Sequence, residues 1–430
     1  MRSILVFTLS AISFLQMSAQ SSDSLQLKQL LKEVIDTHPS IKEASEALTV
    51  ADARIAMAKS EYLPNVDGNA SYSYIGPVSS ITLPSVGTFQ LFPQHNYSAS
   101  INYNQVLYNF GKTAQNVKTE TESRNATAFN INILKQKLTS VTVNSFYALV
   151  YVQEALRIKN TQIETLKEHI SFLEKKLATG SARRYDLLSS KVRLSTAESQ
   201  RIDLLSAQRM QSALINSLTG KSTAGTVVVK KDVLMQSTTS PIDTLLNIAY
   251  THRAELSLAV EKEKLASLHY EVVKMQNRPV LNGFASAGGK NGYIPDEKAV
   301  KFNYVAGLGL KVPLYDANRK KNSLILAQST INNLSFETEL AKRTITTEVI
   351  ENQTNCEASH QKLQQFELQV EQATEAYNLA KTNFNVGAIT NLDLLDAETS
   401  VSESRLYLLK SKIDYELNLL KLKISLGQEI

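Results

Sequence analysis

Two aspartates near the end of the chain, Asp393 and Asp396, have the residue type and spacing best suited to a charged functional site. Residues three apart lie on one face of a helix, so both carboxylates would project from the same side of the helix that begins after Gly387. Acidic side chains in a first turn also stabilise the positive end of the helix dipole, by ~0.3 to 1 kcal/mol. The residues alone leave helix capping and a functional carboxylate pair open as interpretations.

An earlier turn repeats part of this pattern. Gly180 precedes Asp186 as Gly387 precedes Asp393, at an offset of 207 residues (387 − 180). Ser189 stands where the second carboxylate would be. Capping alone therefore explains Asp186.

No arrangement typical of catalysis is found in the sequence. The six histidines are scattered, none in a zinc spacing such as H-E-x-x-H, and glycine-rich phosphate loops are missing. The single cysteine, Cys356, is predicted to be a buried structural thiol. The net charge is +5, or +4 if Arg2 is removed with an N-terminal signal peptide, and a charge this small gives no indication of nucleic-acid binding. We therefore predict no enzymatic activity, no cofactor, no bound metal and no nucleic-acid partner.

The elements that position the two turns are long helices. Residues 113–179 and 317–383 form two runs of 67 residues without proline or glycine. In each run apolar residues recur at alternating steps of three and four, which keeps one side of a helix against a partner. These two seams, in which Lys159 and Ser359 are the only polar members, are Leu149, Val152, Leu156, Lys159, Ile163, Leu166, Ile170, Leu173 and Leu177 in the first run, and Cys356, Ser359, Leu363, Phe366, Val370, Ala373, Tyr377, Ala380 and Phe384 in the second. The chain is thus one unit duplicated.

Such a helix would be about 100 Å long at ~1.5 Å per residue, too long for one compact domain. Shorter helices are predicted to pack along each long one, so the long helices are antiparallel coiled coils. The first repeat, 20–220, contains helix 25–60 and return helix 185–219, and the second repeat, 241–430, contains helix 241–277 and return helix 391–426. Pro39 is expected to end one helix at His38 and begin another, and His252 and Arg253 occupy the corresponding place in the second repeat. A polar linker, 221–240, separates the repeats, with Val227–Val229 as a possible strand.

Two β-hairpins, 65–108 and 280–312, precede the long helices. Apolar and polar residues alternate in them, and each strand is about ten residues long, the length that a tilted membrane strand needs. The loop 75–95, with three prolines, is predicted to be an irregular exposed tip. Aromatic residues near the strand ends suit a girdle at a lipid boundary. They are Tyr72, Tyr74, Tyr97, Tyr103, Phe302 and Tyr304.

Hairpins packed on a soluble core are the alternative interpretation. The helices already use their apolar seams against each other, however, so nothing else in the chain is left to cover the hairpins. A free four-stranded sheet with two open edges is also unfavourable in a soluble protein, because the unpaired edge strands can pair with other chains.

Residues 1–19 have the features of a secretory signal peptide: Arg2, an apolar run from Ile4 to Leu15, and small residues ending at Ala19. The alternative is an amphipathic first helix. No later stretch is apolar for the ~20 residues that a membrane helix needs. No cysteine follows the signal region, so no lipid anchor is expected.

The duplicated order of helix, hairpin, long helix and return helix resembles the TolC-like outer-membrane factors, the outer membrane efflux protein family. The turn Phe384–Gly387, followed by Asp393–Ala397, carries the most specific part of this resemblance. It implies a mainly α protein with a membrane β part, forming a homotrimer with a twelve-stranded barrel on an α-helical periplasmic tunnel. It also implies a passive exit duct in a Gram-negative outer membrane, serving an efflux pump or type I secretion system.

The same resemblance implies partners and sites. An inner-membrane transporter and a periplasmic adaptor would be the partners, and the carboxylates of Asp393 and Asp396 would ring the entrance, attracting cations and raising some carboxylate pKa values. The gate residues are Asp393, Asp396, Asp186, Phe384, Arg183 and Arg184, and the adaptor-docking residues are Thr179, Gly180, Ser181, Val386, Gly387, Ala388, Ile389 and Thr390.

Two residues depart from the family pattern, which has a tip tyrosine where this chain has Phe384 and a tip arginine where it has Ile389. Arg183 and Arg184 are expected to replace the missing hydrogen bonds. A non-channel periplasmic adaptor or scaffold is the alternative function. The sequence leaves the cargo open.

Overall fold

The structure is a computed structural model that describes residues 25–230, 240–293 and 298–430. The predicted signal peptide and residues 231–239 of the predicted linker lie outside the described residues. The elements of the described part are, in chain order, α1 (Leu27–Thr37), α2 (Pro39–Ser60), β1 (Asn65–Tyr74), β2 (Ser80–Leu83), β3 (Gly87–Gln90), β4 (His95–Tyr108), α3 (Lys112–Ala178), α4 (Arg184–Thr219), α5 (Ile242–His252), α6 (Ala254–Lys274), β5 (Val280–Lys290), β6 (Lys301–Lys311), α7 (Arg319–Asn385) and α8 (Asn391–Ser425).

The ends of α3, α4, α7 and α8 lie within two residues of the predicted bounds. Glycines at left-handed φ angles, Gly180 at 74° and Gly387 at 80°, follow the two long helices. Only glycine adopts this conformation without steric cost, so it ends both helices at equivalent places. The predicted helices 25–60 and 241–277 are each divided into two, at His38 and Arg253.

The prediction that the loop 75–95 is irregular is wrong. β2 and β3 pair as a small antiparallel hairpin within it, with Ile81 opposite Phe89. The hydroxyls of Thr82 and Thr88 lie 2.8 Å apart across the pair. The loop's prolines lie outside the paired residues, so they leave the backbone donors of the short ladder intact.

Contacts divide the chain into two compact units. Unit 1 contains the described residues of Met1–Val34, Val141–Gln236 and His360–Leu417, and unit 2 those of Ile35–Ser140, Ser237–Ser359 and Asn418–Ile430.

In unit 1 the predicted seam of α3 is the core. All of its members from Leu149 to Leu173 are buried, including Lys159, which is 5% exposed. Ile163 and Leu166 pack with Ala197 of α4 and Leu395 of α8. The second seam is less covered, because its members from 363 to 384 are only half-buried. The possible strand at Val227–Val229 is a single parallel bridge between Leu25 and Val229.

Unit 2 contains an antiparallel sheet with the strand order β1-β4-β5-β6. The two hairpins of the repeats therefore lie side by side, joined by β4 and β5. A separate helical core in this unit is formed by Leu245 and Ala249 of α5, Ile345 and Val349 of α7, and Leu422 and Leu426 of α8.

Two equivalent glycines give a matched test of this helical packing. Gly220 and Gly427, 207 residues apart, follow the return helices with φ angles of 71° and 73°. A Cβ at Gly220 would meet nothing within 4 Å, but at Gly427 it would lie 2.7 Å from the backbone carbon and oxygen of His252. Gly220→Ala should cost about 1 kcal/mol through the left-handed backbone. Gly427→Ala should cost about 1 to 3 kcal/mol more through the clash.

Denaturation midpoints in urea, measured on the detergent-solubilised protein, check this difference. Equal losses in the two variants would contradict the close packing of α8 on the break between α5 and α6.

Candidate functional site

The two glycine turns of unit 1 have the same backbone hydrogen bonds. After α3, the amide of Ser181 donates to the carbonyl of Lys176 at 2.8 Å. After α7, the amide of Ala388 donates to the carbonyl of Asn383 at 2.9 Å. This pattern with a left-handed glycine is the Schellman motif, which satisfies the last carbonyls of a helix. The duplication has therefore preserved the turn geometry as well as the spacing.

Asp393 caps helix α8. Its Oδ2 accepts hydrogen bonds from the amide of Thr390 at 2.9 Å and from the Thr390 hydroxyl at 2.7 Å. The Asp393 amide lies 3.3 Å from the same hydroxyl oxygen. Hydrogen bonds from the Thr390 side chain and backbone lower the pKa of Asp393, so its carboxylate is charged at neutral pH. Asp186 repeats the arrangement, accepting from the amide of Arg183 at 3.3 Å.

Asp396 has a partner that the sequence did not indicate. Its Oδ1 lies 2.7 Å from Nη2 of Arg193 on α4. The side chains of Asp396 and Arg193 are 58% and 39% exposed, so the pair stabilises the turn only weakly. Asp396 remains partly accessible to solvent.

Phe384 packs into an aromatic cluster rather than facing the solvent alone. Its ring centroid lies 5.4 Å from that of His169 and 6.5 Å from that of Phe172. The ammonium of Lys176 lies 4.7 Å from the centroid of the Phe172 ring and 5.5 Å from that of Phe384. Phe384 thus joins α7 to α3 through ring contacts instead of a hydroxyl hydrogen bond. Arg183 and Arg184 are both exposed, and their expected role in holding the tip stays a prediction.

Asn391 and His169 also belong to this region, although no sequence motif indicated them. Asn391, the first residue of α8, is 4% exposed. His169 Nε2 lies 2.6 Å from Asn391 Oδ1. Burial lowers the pKa of His169, against the opposing effects of the Asn391 hydrogen bond and the Asp186 charge.

A buried polar network lies within unit 1, around the only lysine of the first seam. Lys159 Nζ donates to the amide oxygens of Gln162 at 2.7 Å and Gln200 at 2.8 Å. Gln162 Nε2 donates in turn to Glu398 Oε2 at 3.1 Å. Burial lowers the pKa of Lys159 and raises that of Glu398. These residues line a cavity of about 400 Å³ between α3, α4 and α8.

Glu398 should make stability depend on pH. Its pKa is raised in the folded protein, so the folded state binds more protons and loses stability as pH rises above the ordinary value of 4.5. Glu398→Gln removes this loss and still accepts the hydrogen bond from Gln162. We expect the variant to be more stable than the parent near neutral pH and equally stable near pH 4, in thermal unfolding measured across that range. A variant that is less stable at neutral pH would contradict the interpretation.

The strand register gathers the apolar residues of unit 2 on one face of the sheet. On this face β1 contributes Val66, Gly68, Ala70 and Tyr72, which lie opposite Tyr103, Ile101, Ala99 and Tyr97 of β4 in that order. On the same face β5 contributes Ala285, Ala287 and Gly289, which lie opposite Ala306, Tyr304 and Phe302 of β6 in that order.

The opposite face is polar and internally hydrogen-bonded. Asn102 Nδ2 donates to Asp67 Oδ2 at 3.1 Å, and Ser286 Oγ donates to Asn102 Oδ1 at 2.8 Å. Ser71 and Ser98 are joined through their hydroxyls at 2.7 Å. All four formally charged side chains of β1, β4, β5 and β6, namely Asp67, Lys290, Lys301 and Lys311, belong to this face.

Burial of the sheet is inverted relative to a soluble protein. In β4 the residues of the apolar face are exposed, and those of the polar face, Asn96 to Asn102, are half-buried. Ile101 is 64% exposed and Leu308 of β6 is 71% exposed. Within the described residues β1 and β6 each pair on one side only. The sheet therefore presents an uncovered apolar face and two open edges.

Five of the six predicted girdle residues lie at the hairpin ends of the sheet. Tyr72 and Tyr97 have ring centroids 5.2 Å apart, Phe302 and Tyr304 6.2 Å. Tyr103 lies six residues farther along β4, opposite Val66. A second aromatic group at the other end was not predicted: the rings of Tyr108 and Phe110 lie 4.7 Å apart, and Tyr315 is 87% exposed.

No helix among the described residues combines the length and apolar composition needed to cross a bilayer.

Several known proteins are similar to this chain. The outer membrane protein TolC of Vibrio cholerae is 19% identical over 408 residues, covering 93% of this chain and 90% of that protein. The alkaline protease secretion protein AprF of Pseudomonas aeruginosa is 24% identical over 295 residues, covering 65% and 59%. The CmeC outer membrane channel of Campylobacter jejuni superimposes with a TM-score of 0.79 at 15% identity, covering 93% and 85%.

The sequence model of one family, described as outer membrane efflux protein, matches residues 30–221 and 245–428. Both repeats and both hairpins lie within the match. This is a family of transport channels rather than of adaptors or enzymes. The chain belongs to the outer membrane efflux protein family.

Proposed function

We propose that the chain is one subunit of a homotrimeric duct, through which cargo leaves the periplasm across the outer membrane. The observation that carries the proposal is the sheet of unit 2, whose apolar face is exposed and whose edges β1 and β6 are open. Lipid would cover the face, and neighbouring copies would pair with the edges. Most of the mass, in the helices, would lie in the periplasm.

Strand number supports an assembly of several copies. Four strands cannot close a barrel, and eight is the usual minimum. Joining β1 of one copy to β6 of the next removes every open edge. Three copies give twelve strands, and the number three comes from the family resemblance.

The two aromatic groups agree with a lipid boundary at each end. Tyr97 and Tyr108 are eleven residues apart (108 − 97), or about 36 Å along a strand. A tilt of about 45° reduces this to a height of about 25 Å, which matches the apolar band of outer-membrane barrels.

The turns of unit 1 are proposed as the entrance and the adaptor-docking tips. Gly180, Gly387 and Val386 are exposed, and Asp393 is kept ionised by Thr390. Three copies of Asp393 and Asp396 would attract cations. An adaptor would dock on the tips and link the duct to an inner-membrane transporter, for efflux or for secretion.

Single-channel recording in planar lipid bilayers tests this function. We expect discrete conductance steps from the purified protein, and block by a multivalent cation added on the periplasmic side. The double variant Asp393→Ala with Asp396→Ala should lose the block. Asp243→Ala, an exposed aspartate in the first turn of α5, is the matched control and should retain it.

Absence of any conductance would contradict the proposal that the protein forms a duct. If the double variant conducts and is still blocked by the cation, the duct would stand, but the proposal that Asp393 and Asp396 form a carboxylate ring would be contradicted.

A further inference from the structure

One buried side chain connects three helices of unit 1 at the start of α8. Asn391 Nδ2 lies 3.1 Å from the carbonyl oxygen of Asp186, and 3.3 and 3.2 Å from the hydroxyl oxygens of Ser189 and Ser190 on α4. Its Oδ1 faces His169 Nε2 of α3 at 2.6 Å. These contacts arise in the turn that carries Asp393 and Asp396.

The contacts of Asn391 determine the protonation of His169. Because Nδ2 is a donor and faces three acceptors, Oδ1 is the atom that accepts from His169. His169 Nε2 therefore carries a proton, and the neutral imidazole satisfies the bond with Nδ1 unprotonated. A second proton would place a charge on this ring.

The surroundings of His169 make that charge unfavourable. The Phe384 ring lies against the imidazole at a centroid distance of 5.4 Å, and burial is the main reason that the pKa of His169 is lowered. Both acidic and basic side chains lie around His169. The carboxylates are Glu168 of α3, Asp186 of α4 and Glu398 of α8, and the ammonium groups are Lys176 of α3 and Lys381 of α7.

We propose that His169 and Asn391 form a latch, which holds the first turn of α8 against α3 and α4 and which protonation of His169 releases. Its effect on a duct entrance rests on the proposed function. The latch also accounts for a tip that has Phe384 and Ile389 where the family pattern has a tyrosine and an arginine. The holding bonds come from Asn391 instead.

The sign of the pH effect follows from linkage. In the released state His169 has its ordinary pKa of 6.5, and in the latched state the pKa is lower. The released state therefore binds more protons in the interval below 6.5, and acidification through that interval favours release. Above it the latch keeps its full stability.

Hydrogen exchange of the full-length protein in detergent tests the latch without a channel. The probe is the protection of amides 391–398, corrected for intrinsic exchange. We expect parental protection to fall by up to about tenfold per pH unit between about pH 6.5 and pH 5.5. His169→Gln keeps an N–H donor but cannot titrate, so its protection should not fall on acidification. Asn391→Ala should have low protection at both pH values.

Two matched controls separate the latch from general effects. Asn418→Ala removes a half-buried asparagine of the same helix, which donates to the Asn355 carbonyl at 3.2 Å. His360→Gln removes an exposed histidine of α7 that packs on Tyr415. Both should behave as the parent does. Unchanged pH dependence in His169→Gln, or parental protection in Asn391→Ala, would overturn the latch.

Planar-bilayer recording tests the consequence for the entrance. Asn391→Ala should conduct more than the parent at neutral pH, and His169→Gln should lose the increase that the parent shows on acidification. Parental currents in both variants would overturn the latch as a gate while leaving the duct intact. Failure of the parent to conduct would overturn the duct, and hydrogen exchange would still decide the latch.

Discussion

Ile101→Arg is expected to cost about 2 to 4 kcal/mol of barrel stability in lipid, the range for arginine at the middle of a membrane strand. Ile101 is 64% exposed on the apolar face of β4, opposite Gly68 and Ala287 of the neighbouring strands. An arginine there would have to carry its charge into hydrocarbon. Folding into lipid vesicles, titrated with urea, measures the loss.

The adjacent residue is the matched control. Ser100 lies on the polar face of the same strand, so Ser100→Arg differs from Ile101→Arg mainly in the face that receives the charge. We expect the Ser100 variant to fold within about 1 kcal/mol of the parent. Equal losses for the two variants would mean that the faces do not separate lipid from water.

Arg253→Met is expected to destabilise unit 2 by about 3 kcal/mol. The Arg253 side chain is 8% exposed, donating through Nη1 to the Ser425 carbonyl at 3.1 Å and pairing with Glu255 and Glu348, both at 2.9 Å. Its loss leaves the last turn of α8 without a donor and two carboxylates without their partner. Because Glu255 and Glu348 are 35% and 39% exposed, they can regain water, which places the loss at the lower end of the range for buried pairs.

Arg343→Met is the control for Arg253→Met. Arg343 pairs with Glu339 on the same helix, and both side chains are more than half exposed. Its removal should cost less than about 0.5 kcal/mol. Denaturant unfolding of the purified protein compares the two variants, and a similar loss in both would contradict the role assigned to Arg253.

Periodicity was enough to predict the helical part of the fold. The three-four spacing from Leu149 to Leu173 marked residues that are all buried, because a helix must bury one continuous stripe. Lys159 kept its place in that stripe by bonding to Gln162 and Gln200. Period-two alternation likewise predicted two faces for each strand, and the pairing register aligned them.

Side-chain contacts between residues far apart in the chain could not be predicted from the sequence. Arg193 meets Asp396, 203 residues later (396 − 193), and His169 meets Asn391, 222 residues later (391 − 169). Nothing local distinguishes these residues from other polar positions on a helix, since only packing of α3, α4 and α8 brings them together. The capping role of Asp393 could be predicted from the sequence, because Thr390 lies three residues before it.

The most direct test of the central claim, a sheet embedded in lipid through its apolar face, is a spin-label scan along β4. Single cysteines at positions 97 to 104, in a Cys356→Ala background, would carry nitroxides in the protein reconstituted into vesicles. We expect oxygen accessibility to peak at Tyr97, Ala99, Ile101 and Tyr103, and accessibility to a water-soluble reagent to peak at the residues between them, as the register requires. Uniform accessibility to the water-soluble reagent at all eight positions would contradict the account.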